Sequence, residues 1–94
     1  NPDYRKKIQF VDSLADISLW YDEHYNSSSL RHELLVAKQN TALWLLSFNG
    51  SAGEYLSRWW SDIRSEKQLI RNIASYGLFI KKIAWRMWRK NDKR

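Results

Sequence analysis

The sequence predicts an all-α fold, a bundle of about four helices in up-down order. Three observations predict it. One Pro and three Gly in 94 residues leave little material for the many turns of a strand-rich fold. Apolar residues recur at three- and four-residue spacing along most of the chain. Helix start and stop signals fall between those runs. The length is that of one domain, residues 1–94, with a basic tail over 89–94.

The first helix is expected over 2–25. Asn1 is a fair N-cap, Pro2 suits the first helical position, and Asp3 lies just inside. Ile8, Val11, Leu14, Ala15, Tyr21 and Tyr25 form one broad stripe, with Trp20 on the opposite side.

The second helix is expected over 29–48, after a loop whose serines can serve as caps. Its main stripe runs through Leu30, Leu34, Ala37, Thr41, Trp44, Leu45 and Phe48. A second apolar set, Leu35, Ala42, Leu43 and Leu46, lies on the other side. A helix apolar all round must be covered all round. Leu35, Leu43 and Leu46 are therefore expected to meet a partner, together with Trp20 and Leu78.

Asn49-Gly50 is a helix stop, with Gly50 expected in the left-handed cap conformation. Ser51 and Glu54 have capping-box spacing and open a third helix over 52–64. Ser65 and Gln68 repeat that spacing, and the apolar phase shifts between Ile63 and Leu69. A turn or kink near Arg64–Glu66 follows, then a fourth helix over 66–90. Its heptad seam is Ile73, Gly77, Ile80, Ala84 and Met87, expected to pack within the bundle or across a dimer.

Charge is unevenly spread. The net +6 divides into +2 over residues 1–7, −4 over 8–57 and +8 over 58–94. Opposite the expected seam, Arg71, Lys82, Trp85 and Arg89 project together with Leu78. Lys81 lies at the edge, and Arg86 and Lys90 continue the charge. Cations interleaved with an indole are what a phosphate backbone and its bases require. The expected function is sequence-independent nucleic-acid binding, non-enzymatic, through these residues and the Arg5, Lys6, Lys7 cluster, in a dimer or larger assembly. The alternatives are a protein-interaction module (an adaptor, regulator or inhibitor) using the apolar faces of the second and fourth helices, an acidic protein surface as partner of the basic face, and peripheral membrane binding through the amphipathic fourth helix.

Other chemistry has little footing. Without Cys there is no disulfide, thiolate metal site or thiol catalysis. His24 and His32 match no metal-ligand spacing, and no phosphate-binding Gly loop occurs. No cofactor is expected. The absence of a signal peptide and of a long apolar run points to an intracellular location.

Overall fold

The computed structural model describes residues 3–26 and 29–92, with side chains through Arg89. Asn1, Pro2, Ser27 and Ser28, expected to act as caps or at helix starts, lie outside the described residues. Four α-helices and one 3₁₀ turn follow in order: α1 (Tyr4–Tyr25), α2 (Arg31–Asn49), α3 (Ala52–Ser65), the turn Lys67–Arg71, and α4 (Ile73–Asp92). The fold is an all-α bundle.

Asp22 joins the first two helices. It is buried near the end of α1 and accepts the Leu30 backbone N–H at 3.0 Å and the Asn26 side-chain amide at 2.7 Å. It thus satisfies an amide at the start of α2, where Leu30 has no cap of its own. Lys38 meets Asp16 at 3.1 Å, so α1 and α2 lie side by side in opposite senses. Arg58 of α3 forks onto Asp12 of α1 at 2.7 and 2.9 Å and holds Asp62 from its Nε. The Tyr4 hydroxyl donates to Glu54 at 2.7 Å. The expected capping box is present: Ser51 Oγ accepts the Glu54 N–H at 3.1 Å, and Glu54 accepts the Ser51 N–H at 3.2 Å.

The core has two lobes. One gathers Tyr4, Leu43, Leu46 and Tyr55; the other Leu35, Ile63 and Leu69. Trp59 packs against both. This corrects the reading of α2. Leu35, Leu43 and Leu46, expected to meet a partner, are core residues, whereas Leu30, Trp44 and Phe48 of the expected core stripe are exposed. Leu78 packs against the first lobe, and Trp20 is half exposed. Two apolar faces on one helix look alike to periodicity. Polar pairing separates them: Gln39, on the buried face, accepts the Asn72 amide at 2.8 Å.

α4 is inverted in the same way. Ile73, Ile80 and Met87 of the heptad seam face away from the bundle, 82, 66 and 62% exposed. Ser75, Leu78, Phe79 and Lys82 face inward. Each inward polar group has a partner. Ser75 Oγ donates to the Asn72 carbonyl at 2.7 Å, and the Ser75 carbonyl accepts the Tyr55 hydroxyl, whose pKa burial pushes up to about 12.

Three local expectations also change. Ser65 ends α3 and makes no second capping box. The expected 66–90 helix breaks at Asn72, whose amide is drawn to Gln39 and Asn40 of α2, leaving 67–71 as a 3₁₀ turn that buries Leu69. Gly50 has φ −101°, not a left-handed value. Its reason is space, because a Cβ there would lie 2.9 Å from Leu46 Cδ2.

Candidate nucleic-acid interface

The end of α2, the turn into α3 and the second half of α4 enclose an open groove of about 1140 Å³. Trp44 and Phe48 sit one helical turn apart on α2 and form one wall, with ring centroids 5.1 Å apart. Trp85 and Trp88 form the other wall. Their indoles stack, with centroids at 5.2 Å and planes 29° apart. Lys81, Arg86 and Arg89 complete the lining. The Lys81 ammonium lies 6.0 Å from the Phe48 ring centroid, in cation–π range across the groove.

Lys82 also lines the groove but is engaged at its floor. Its ammonium donates to the carbonyls of Gly50 at 2.6 Å, Ser47 at 3.1 Å and Leu46 at 3.5 Å. These carbonyls close the C-terminal end of α2, where a cation opposes the negative pole of the helix. Burial and then the neighbouring Arg86 push its pKa below the ordinary lysine value. Lys82 was expected to contact phosphate; the structure instead sets it as the cation at the C-terminal end of α2, whose own last turn holds no basic residue.

The other expected contacts divide. Arg71 is exposed on the 3₁₀ turn and does not line the groove. The Lys90 side chain lies outside the described residues. Arg5 pairs with Glu54 at 3.4 Å and lies over the Tyr4 ring. Lys6 and Lys7 border a different depression, beside Phe10, Val11 and Leu45. Arg5, Lys6 and Lys7 therefore do not line the groove. Sequence reasoning missed Trp44, Phe48 and Trp88 as groove residues. Trp44 and Phe48 belong to the main apolar stripe of α2 in the sequence pattern, yet they and Trp88 are 53, 64 and 58% exposed.

His24 Nδ1 donates a hydrogen bond to the Trp20 carbonyl, 2.8 Å away, and the ring stacks on the Trp20 ring. Among the described residues no group of three or more His and carboxylate side chains is placed to hold a metal, and no helix is long and apolar enough to cross a membrane. The chain matches no family model, no curated protein and no solved structure.

Proposed function

We propose that the groove binds a single-stranded nucleic acid without reading its sequence. The observation that carries this is the stacked Trp85–Trp88 pair within the same groove as Lys81, Arg86 and Arg89. Bases lie on the indole faces and on Trp44 or Phe48, and phosphates lie on the three cations. At about 1140 Å³ the groove exceeds the roughly 300–1,000 Å³ of a small-molecule pocket, which favours an extended ligand. Three cations predict a salt slope of about −2, from about −0.7 per neutralised phosphate on a single strand. The activity is binding rather than catalysis, and an intracellular setting accords with a cysteine-free chain.

The test is titration of a fluorescent single-stranded oligonucleotide at low and raised salt. Binding that weakens with salt is expected; no binding at low salt, or affinity that ignores salt, rejects the reading. A second reading, attachment to an anionic membrane surface, is favoured by the outward stripe Ile73, Ile80 and Met87 on a cationic helix. Sedimentation with anionic vesicles tests it, and protein left in the supernatant removes it.

A further inference from the structure

The exposed face of α1 is independent of the groove and has a different character. Phe10, Leu14, Ile17 and Tyr21 follow 4-3-4 spacing along one side of the helix. They are 68, 53, 65 and 60% exposed. Such a row has the spacing of a coiled-coil seam, and each of its four side chains is more than half exposed. The chain as a whole also carries surplus surface. A folded monomer of 11.3 kDa exposes about 5,700 Å², whereas this chain exposes 7200 Å². Its radius of gyration is 15.1 Å against about 12 Å for a compact domain of this length. The surplus, about 1,500 Å², is more than the roughly 800 Å² each partner contributes to a standard interface.

The geometry points to a second copy of this chain packed antiparallel on α1. Charge selects both the helix and the orientation. α1 carries three cations and four carboxylates, so it is nearly neutral in a protein of net +6. α4 also has an exposed apolar seam, but it holds five cations and one carboxylate, and two copies of it would repel. Within α1 the cations Arg5, Lys6 and Lys7 lie at the start, while Asp16 and Glu23 lie in the second half. A parallel pair sets like against like. An antiparallel pair brings Lys6 and Lys7 of one copy to Glu23 of the other, and among the described residues no ion pair engages those three side chains. In that register Phe10 meets Tyr21 of the second copy, and Leu14 meets Ile17.

Light scattering after size exclusion of the full chain tests the dimer. The expected mass is twice 11.3 kDa. Ile17→Lys, at a position exposed in the single chain, is expected to give a monomer with unchanged helical circular dichroism. A monomeric wild type overturns the inference, as does a dimer that survives both Ile17→Lys and Leu14→Glu. Association with vesicles by a wild type that stays monomeric in solution also overturns it. Orientation is read by cross-linking, since the chain has no Cys of its own. Phe10→Cys mixed with Tyr21→Cys is expected to form the mixed disulfide, and neither variant is expected to cross-link to itself. Self-cross-linking of each variant alone marks a parallel pair and overturns the assignment.

Discussion

The Lys82 ammonium lies 2.6 Å from the carbonyl oxygen of Gly50, across the end of α2. One side chain of α4 thereby closes a helix that has no basic residue in its own last turn. Replacing it by an apolar chain of similar length removes both the charge and the donors. Lys82→Met is expected to lower stability by about 1–2 kcal/mol, from the lost helix-end charge and charge-assisted bonds. Urea unfolding measures this. An unchanged midpoint would mean that the carbonyls are satisfied without the lysine.

The glycines separate by what surrounds them. At Gly77 a Cβ would meet nothing within 4 Å, and φ is not positive. Gly77→Ala is expected to stabilise α4 by about 0.5–1 kcal/mol through helix propensity and unfolded-chain entropy. At Gly50 the new Cβ would press on buried Leu46, so Gly50→Ala is expected to destabilise by about 1–3 kcal/mol. Thermal unfolding of the two variants should move in opposite directions.

Arg58 links α1 to α3 from a largely shielded position, its side chain 16% exposed. Burial disfavours its charge, yet Asp12 and Asp62 together raise its pKa above the ordinary arginine value. Arg58→Met leaves two shielded carboxylates without a counter-charge and is expected to cost about 3 kcal/mol. Adding Asp12→Asn and Asp62→Asn should recover most of that loss, because the uncompensated charges are gone. Chemical denaturation of the single and triple variants compares them directly.

Acid should loosen the helix junctions. The Asn26 amide, then the Leu30 N–H, holds Asp22 below the usual carboxylate value; the Tyr4 hydroxyl, then the Ser51 N–H, does the same for Glu54. With depressed folded values, the unfolded chain takes the protons first. Their stabilisation is complete above about pH 5 and is lost as pH falls through the unfolded and then the folded values. Asp62 works in the opposite sense, because burial raises its pKa and protonation relieves that penalty. Melting temperatures followed from about pH 6 down to about pH 2 should fall, and Asp22→Asn and Glu54→Gln should flatten the fall. Equal slopes in the variants would assign the acid sensitivity to other groups.

Helices and several of their ends were legible because they rest on local chemistry. Ser51 and Glu54 cap α3 through their own spacing, and the break after α3 followed from the phase shift toward Leu69. The packing faces were not legible. On α2 and α4 the wheel offers two apolar sides, and hydrophobicity ranks Ile73, Ile80 and Met87 above Ser75 and Lys82. On α4 the structure takes the less apolar side inward, where the Ser75 carbonyl accepts the Tyr55 hydroxyl and Lys82 donates to the end of α2. Such partners lie 20 to 36 residues away in sequence and leave no periodic signature. The cation–indole mixture of α4 was visible as composition. Its second wall, Trp44 and Phe48, became visible only once α2 and α4 were side by side.

The most direct measurement is a single-stranded oligonucleotide titration comparing wild type, Trp85→Ala/Trp88→Ala and Lys6→Ala/Lys7→Ala. Both indoles are more than half exposed, so their loss leaves the core intact. The groove account predicts that removing the indole pair weakens binding by at least about tenfold, from roughly 1–3 kcal/mol per stacked base. It predicts that the Lys6/Lys7 variant retains most of the wild-type affinity. Wild-type affinity in the indole variant, or loss of binding only in the lysine variant, would contradict it.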